Sequence, residues 1–312
     1  MKEVNKKYQV SQEAPNPKMF ERFVTGKAID ALLSDEGGLM RATITLVIGD
    51  PGVGKTTIAN DLLADIMLKY PDAKVLFVSS EESFIDRTYN QRKSPKTSKI
   101  PTLFLGAEEN RKAALEEAFK EGWDIILVDS FKDVQDKVNM ELEDATMAEA
   151  EAWLLDLMVQ TSQAENDSKI YTAFLCIQQV TKGRLFVGSN SLKHNTTAMM
   201  EMRFSKEYEG HRYVEFTKNR RCGSRVGKKL YYNFDEGKQE LTYSDQPVSL
   251  AEQAANTDSP TILPNKKYTN QELLDYMPSW LTFEEKRPIV MKMRAQMLAG
   301  EPIIIPKFKK PY

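Results

Sequence analysis

Short apolar runs alternate with longer segments of helical periodicity along the first two thirds of the chain. The apolar runs lie at residues 42–48, 74–79, 124–129 and 170–177. The helical segments lie at residues 26–33, 56–68, 108–121 and 143–163. Buried strands that alternate with helices predict an α/β fold, in which a central, mostly parallel β-sheet is flanked by helices on both faces.

The pattern changes after residue 195, where β-type segments follow one another at residues 198–204, 212–217 and 229–234. We expect them to form a C-terminal β-hairpin edge on the same sheet. Residues 246–268 lose the apolar periodicity and gain Pro, Asn, Thr and Ser, which predicts a linker.

Two capping-box sequences follow, Thr269 to Glu272 and Thr282 to Glu285, and each is expected to begin an amphipathic helix. The predicted organisation is therefore a flexible leader at 1–22, a main domain at 23–245, the linker at 246–268, and a small helical tail at 269–312.

The charge balance is even, with 43 Lys plus Arg against 45 Asp plus Glu and a pI near 6.0. A uniformly basic nucleic-acid binder is excluded, so any nucleic-acid contact must be local. The cysteines, Cys176 and Cys222, lack CxxC spacing, which excludes a disulfide framework and a cysteine zinc module. Because the polar start and the rest of the chain lack an apolar stretch of about 18 residues, we expect a cytoplasmic protein with no membrane partner.

One segment carries the strongest chemical signal: Gly49, Asp50, Pro51, Gly52, Val53, Gly54, Lys55, Thr56 and Thr57. It has the P-loop pattern GxxxxGKT, directly after a predicted strand and at the start of a predicted helix. In such a loop the backbone N–H groups surround phosphates, the lysine contacts the β- and γ-phosphates, and the hydroxyl after it binds Mg²⁺. The sequence therefore predicts ATP and Mg²⁺ as ligands.

Carboxylates follow two other predicted strands. Asp129 ends the run 125–128, which is the position of a carboxylate that holds Mg²⁺ in P-loop enzymes. Glu81 and Glu82 follow the run that ends at Ser79, and one of them can orient and deprotonate an attacking water. The structural alternatives are a strand-end cap for Asp129 and a solvated loop for the two glutamates.

The segment Val75-Leu76-Phe77-Val78-Ser79-Ser80-Glu81-Glu82-Ser83 resembles "VLYVSGEES" of the RadA/Sms proteins, bacterial branch-migration ATPases related to RecA and to DnaB-type helicases. Three more segments match that family in order: Thr25-Gly26 with Asp30 and Gly37-Gly38-Leu39, Val180-Thr181-Lys182-Gly183 with Gly188, Leu192 and His194, and Lys218-Asn219-Arg220 with Gly223. The resemblance covers about residues 23–235 and implies a RecA-like P-loop NTPase domain.

The resemblance also implies residue roles. Glu81 is the catalytic base, and Gln179 senses the γ-phosphate, although RadA usually has His there. Lys218 and Arg220 reach the γ-phosphate of a neighbouring subunit, which requires a homo-oligomer, either a ring such as a hexamer or a filament. The structural alternative for this pair is an ordinary basic edge strand.

A basic, glycine-punctuated segment follows Gln179 and contains Lys182, Arg184 and Lys193. In RecA-like assemblies this position lines the path of single-stranded DNA, so the three cations are candidate phosphate contacts. A solvated loop without a ligand is the alternative.

The chain departs from the RadA pattern at Gln179, and we expect it to lack the four-cysteine zinc module and the Lon-protease-like domain of that family. This favours a reduced ATPase core of the kind found in phages. The implied function is a DNA-dependent motor for replication or recombination, acting as a helicase, a branch-migration enzyme or a recombinase-like factor. The alternatives are a KaiC-like regulatory ATPase and an ATP-dependent loader or adaptor.

The helical tail carries several methionines, among them Met277, Met291, Met293 and Met297. They are expected either to pack back onto the core, which we favour, or to form a helical face for a replication or recombination partner or the next subunit.

Overall fold

The apolar runs form the parallel strands of a nine-stranded sheet in the computed structural model, within the residues that it describes. These are residues 16–93, 95–142, 144–179, 190–208, 210–235, 240–247, 261–263, 268–275, 277, 281–299 and 303–305. The chain divides into two compact units, Met1–Asp245 and Gln246–Tyr312.

Eleven described strands belong to the first unit. They are β1 (Arg22–Phe23), β2 (Leu39–Met40), β3 (Ile44–Gly49), β4 (Val75–Ser79), β5 (Thr102–Phe104), β6 (Ile125–Asp129), β7 (Ala173–Gln179), β8 (Ala198–Phe204), β9 (Arg212–Asn219), β10 (Leu230–Asp235) and β11 (Glu240–Ser244). Strands β1 and β2 pair with each other, so the predicted leader ends in a short strand.

The large sheet has the strand order β11-β10-β9-β8-β3-β7-β6-β4-β5. The six strands from β8 to β5 are parallel, whereas β9, β10 and β11 extend the β8 edge with antiparallel pairs. This order confirms the predicted mostly parallel sheet and its C-terminal hairpin edge.

Helices cover both faces of the sheet. They are α1 (Asp30–Leu33), α2 (Lys55–Lys69), α3 (Phe84–Lys93), α4 (Arg111–Glu121), α5 (Phe131–Asn139), α6 (Met147–Ser162) and α7 (Asn190–Asn195). One buried cluster contains the apolar side of α2, and a second contains those of α4, α5 and α6. In the part of the chain that the structure describes, no helix is long and apolar enough to cross a membrane.

Two predicted helices change length for identifiable reasons. The expected helix at 26–33 is only α1, because the Asp30 carboxylate accepts hydrogen bonds from the backbone N–H groups of Thr25 and Gly26 and holds that stretch as a turn. The expected helix at 143–163 is α6, whose start is fixed by a capping box between Thr146 and Glu149. Strands β1, β2, β5 and β11 and helices α3, α5 and α7 were not predicted.

The second unit contains strands β12 (Thr261–Leu263) and β13 (Ile303–Ile305), which pair antiparallel, and helices α8 (Asn270–Asp275) and α9 (Phe283–Ala299). Strand β12 lies inside the predicted linker. Helix α9 begins with the predicted capping box, in which the Glu285 carboxylate accepts bonds from the backbone N–H and the hydroxyl of Thr282. This unit has its own buried cluster: Tyr268, Leu273, Met277, Val290, Met293 and Ile303.

Gly49, at the end of β3, allows β8 to approach closely. A Cβ atom built on Gly49 would lie 2.3 Å from the carbonyl oxygen of Met202. Gly49→Ala is therefore expected to destabilise the chain by about 1–3 kcal/mol, as overpacking does in cores. The matched control is Gly106→Ala, where the nearest atom would be 4.0 Å away. Urea unfolding checks this, and equal midpoints for the two variants would contradict the steric explanation.

Candidate active site

The P-loop lies between β3 and α2 and folds around the side chain of Lys55. The Lys55 ammonium donates hydrogen bonds to the carbonyl oxygens of Gly49, at 3.0 Å, and Asp50, at 3.2 Å. Gly54, just before α2, has a φ of 103°, a backbone conformation that glycine adopts without steric cost. Burial lowers the pKa of Lys55, opposed by the carboxylates around it.

Two residues from distant parts of the sequence hold this loop. The Tyr232 hydroxyl, on β10, donates to the carbonyl oxygen of Val53 at 2.7 Å. The Arg203 guanidinium, on β8, donates to the carboxylate of Asp50 at 3.2 Å and to that of Glu201 at 2.9 Å. The hairpin edge therefore supports the P-loop directly.

Thr56 and Asp129 meet as the sequence predicts for a magnesium site. The Thr56 hydroxyl donates to the Asp129 carboxylate at 2.7 Å. Burial raises the pKa of Asp129 to about 6, and the nearby Glu81 and Glu82 add to this, whereas the Thr56 hydrogen bond and Lys55 oppose it. Because burial disfavours the ionised form of this carboxylate, a cation bound beside it would stabilise that form.

The pKa of Asp129 leads to a prediction about stability. Asp129→Asn is expected to stabilise the chain above pH 6 by about 3 kcal/mol, because a shift from 3.8 to about 6 penalises the ionised folded form. The penalty is absent below the unfolded pKa and complete above the folded one. The advantage of the variant should therefore shrink as the pH falls from 6 to 4. Urea unfolding with EDTA present measures it, and an advantage independent of pH would contradict this origin.

Glu81 joins this group through Ser130. The Ser130 hydroxyl donates to the Glu81 carboxylate at 2.7 Å, and the Ser130 backbone N–H donates to the Ser80 hydroxyl at 3.0 Å. Because β4 and β6 are parallel neighbours, Ser79 pairs with Asp129 and both strands end at the same edge. The other glutamate, Glu82, lies on the side of Arg87, 3.9 Å from its guanidinium.

The backbone of Gln179 lies beside the P-loop, since Gln179 pairs with Gly49 at the end of β7. The preceding residue, Gln178, has a structural role. Its buried side-chain oxygen accepts a hydrogen bond at 3.0 Å from the backbone N–H of Lys132, in the first turn of α5. The register thus brings Gln179 to the edge where Lys55 and Asp129 lie.

Lys218 and Arg220 lie away from the P-loop of their own chain. Lys218 pairs with Met199, which pairs with Leu46, three residues before Gly49. Three residues of a strand span about 10 Å. Both cations instead contact backbone carbonyls at the C-terminal end of α7: Lys218 donates to Lys193, His194 and Thr196, and Arg220 to His194.

The predicted DNA contacts divide into two groups. Lys182 and Arg184 lie outside the described residues. Lys193 is half-buried in α7, and its carbonyl oxygen accepts the hydrogen bond from Lys218. Lys218, the cation predicted to act across a subunit boundary, thus bonds the backbone of Lys193, at the C-terminal end of the segment predicted to contact DNA.

A cavity of about 510 Å³ opens next to the P-loop, over the start of α2. Its walls include Thr57, Arg87, Arg212, Tyr232 and Phe234. Arg87 is buried: one guanidinium nitrogen donates to the Asn60 side chain at 3.0 Å, and the group lies 4.6 Å from the centre of the Phe77 ring. These aromatic and cationic walls, beside a phosphate loop, can receive the nucleoside part of a nucleotide.

The residues present fit ATP and Mg²⁺. The loop offers a lysine and a helix N-terminus to phosphates, and Thr56 and Asp129 offer the oxygen ligands that Mg²⁺ prefers. Among the described residues, no group of three or more His, Cys, Asp or Glu side chains could hold a metal.

Five supporting residues were not predicted from the sequence: Ser80, Ser130, Arg203, Tyr232 and Arg87. For Ser130 a signal existed, because a serine followed by Phe131, Val134 and Val138 at helical spacing is typical of a helix start. For the other four, the contacts join distant segments, and no local pattern marks them.

Comparisons with known proteins agree with this architecture. The sequence pattern of one protein family, the ATPase family associated with various cellular activities (AAA), matches residues 45–210, more than half of the chain. The DNA repair protein RadA of Aquifex aeolicus is 24% identical over 273 residues, 86% of this chain and 57% of that protein. RadA of Campylobacter jejuni is 33% identical over 114 residues, 36% of this chain and 24% of that protein.

The chain thus spans about half or less of the length of these relatives. Among solved structures, a KaiC-like protein of Pyrococcus horikoshii OT3 has a TM-score of 0.53 and 18% identity, covering 72% of this chain and 99% of that one. That likeness supports the fold alone. Together the findings confirm a RecA-like P-loop core that resembles RadA.

Proposed function

The chain belongs to the ATPase family associated with various cellular activities. We propose that it is a Mg²⁺-dependent ATPase that single-stranded DNA stimulates and that acts in DNA repair or recombination. The observation that carries the proposal is the meeting of Lys55, Thr56, Asp129 and Glu81 at one sheet edge. Within this proposal, the chain acts as a motor on DNA, either as a helicase, as a branch-migration enzyme or as a recombinase-like factor.

We assign the hydrolytic roles by position. Lys55 stabilises negative charge on the phosphates, and Thr56 and Asp129 would hold Mg²⁺, which would supply positive charge to neutralise that of the phosphates. Glu81 accepts the proton of the attacking water, and the Ser130 hydroxyl orients its carboxylate through the 2.7 Å hydrogen bond. The nucleoside enters the neighbouring cavity, between Arg87 and Tyr232.

We further propose that the active site is completed by a second subunit. Lys218 and Arg220 lie about 10 Å or more from their own P-loop along the strands. A head-to-tail interface would bring them to a neighbour's γ-phosphate, and such interfaces form rings or filaments. Arginine and lysine groups supplied in this way stabilise the charge of the transferring phosphoryl group.

DNA dependence is supported by the relatives named DNA repair protein RadA. It is also supported by the hydrogen bonds from Lys218 to the end of α7, because α7 carries Lys193 and follows the segment with Lys182 and Arg184. A movement of Lys218 towards a neighbour's phosphate would change these bonds. Nucleotide state and DNA contact would then be coupled through α7.

The test is ATP turnover by the purified chain with and without oligo-dT. We expect severalfold stimulation that weakens with rising salt, because phosphate contacts release counterions. The double substitution Lys182→Ala and Arg184→Ala should lower the stimulated rate towards the DNA-free rate, whereas Lys69→Ala, an exposed lysine at the end of α2, should not. An ATPase that neither binds DNA nor responds to it would favour a regulatory ATPase of the KaiC type or a loader.

A further inference from the structure

The second unit presents a groove along α9, next to its own core. Helix α9 buries one side, with Val290 and Met293, in the core of this unit. A second stripe on the same helix carries Phe283, Met291 and Leu298, of which 69%, 64% and 79% is exposed. Of the tail methionines, which were expected either to pack back onto the core or to form a face for a partner, Met277 and Met293 are buried and Met291 is exposed.

The stripe forms one wall of a cavity of about 430 Å³, and Asn270 and Leu274 of α8 line the other wall. Among the described residues that line it, the charged ones are Arg287 and Arg294, and none is a carboxylate. Arg294 is fixed on the rim, since it donates to the Asn270 side chain at 2.9 Å. Arg287 is exposed and has no ion-pair partner within the described part of the unit.

We propose that this groove binds an acidic amphipathic helix of another protein. From Phe283 to Leu298 the stripe is about 22 Å long at 1.5 Å per residue, which matches about four turns of a second helix. Both walls are helix side chains, so the groove offers no strand edge for an extended peptide. The two arginines are placed to pair with carboxylates that flank the apolar face of the bound helix.

A second copy of this chain is a poor occupant. The acidic helix α6 uses its apolar residues, including Leu154 and Met158, in the buried cluster of the first unit. Helix α3 does expose Phe84 and Ile85, but its sequence FIDRTYNQRK is basic. Within the described residues, therefore, no helix combines a free apolar face with negative charge.

The test uses the full chain and a fluorescent synthetic helix with leucines along one face and glutamates elsewhere, followed by anisotropy. Saturable micromolar binding is expected. Arg287→Glu with Arg294→Glu, and separately Met291→Glu, should each weaken it about tenfold or more. Lys292→Glu is the control, because it makes one such cation-to-carboxylate change on α9 outside the groove, and it should have little effect.

A peptide with lysines in place of the glutamates should bind the wild-type chain poorly and the Arg287→Glu, Arg294→Glu variant better. Circular dichroism confirms that each variant is folded. The proposal is overturned if neither peptide saturates, if Lys292→Glu weakens binding as much as the arginine changes, or if Met291→Glu instead dissolves a self-association seen by sedimentation. None of these readouts depends on ATP turnover, so the proposed ATPase function stands or fails separately.

Discussion

Glu81→Gln is expected to lower ATP turnover by about 10²–10⁴-fold, the usual contribution of a general base, while ATP binding is retained. The amide keeps the size of the side chain and can still accept the hydrogen bond from the Ser130 hydroxyl, but it cannot take a proton from water. The P-loop contacts of Lys55 and the Thr56–Asp129 pair do not involve Glu81. Steady-state turnover and titration with a fluorescent ATP analogue measure the two effects.

Glu82→Gln is the matched control for this prediction. The two glutamates are adjacent in the sequence, yet Glu82 lies near the Arg87 guanidinium, whereas Glu81 bonds Ser130. The Glu82 variant should keep turnover close to that of the wild type. If instead Glu82→Gln is inactive and Glu81→Gln is active, the roles of the two carboxylates are exchanged and the assignment of the base is wrong.

Lys218→Ala is expected to lower turnover by about 10³-fold or more, the range seen when a phosphate-contacting cation from a neighbouring subunit is removed. Basic residues on the surface of a strand rarely have effects of this size, so the result separates a catalytic role from an ordinary basic edge. Lys228→Ala is the control, because Lys228 is an exposed lysine that follows the same strand.

Lys218 also bonds three carbonyl groups at the end of α7, so its loss has a structural component. Thermal unfolding of the variant separates the two effects. A turnover loss that is matched by a large loss of stability would contradict the catalytic assignment. A folded variant that binds ATP but does not hydrolyse it would support that assignment.

Much of the fold follows from local patterns in the sequence. The buried parallel strands are continuous apolar runs, which is why β3, β4, β6 and β7 were predicted to within a few residues. Strand β5 is only three residues long, and its pairing with β4 is a tertiary contact. Helix α5 begins immediately after β6, with Ser130 as its cap, and so the sequence shows no loop between them.

The residues of the candidate site also fall into those that local sequence patterns predict and those that only the fold brings together. The P-loop and the carboxylates at the strand ends are local, because a strand end next to a P-loop fixes where a carboxylate must lie. The contacts that position them are not local. Tyr232 meets Val53 across 179 positions of sequence and Arg203 meets Asp50 across 153, so only the folded hairpin edge brings each pair together. The sequence predicted candidate reacting residues, and the fold shows which residues contact them.

Lys218 lies away from the P-loop of its own chain, and we therefore propose that each active site is shared by two subunits. The direct test is to mix Glu81→Gln with Lys218→Ala, each of which is expected to be inactive alone. In randomly mixed head-to-tail assemblies, about a quarter of the interfaces combine an intact Glu81 with an intact Lys218. Exchange of subunits is checked by capturing one variant through a tag. The mixture is expected to regain up to about a quarter of wild-type turnover. A mixture that exchanges subunits but stays inactive would rule out an active site shared by two subunits.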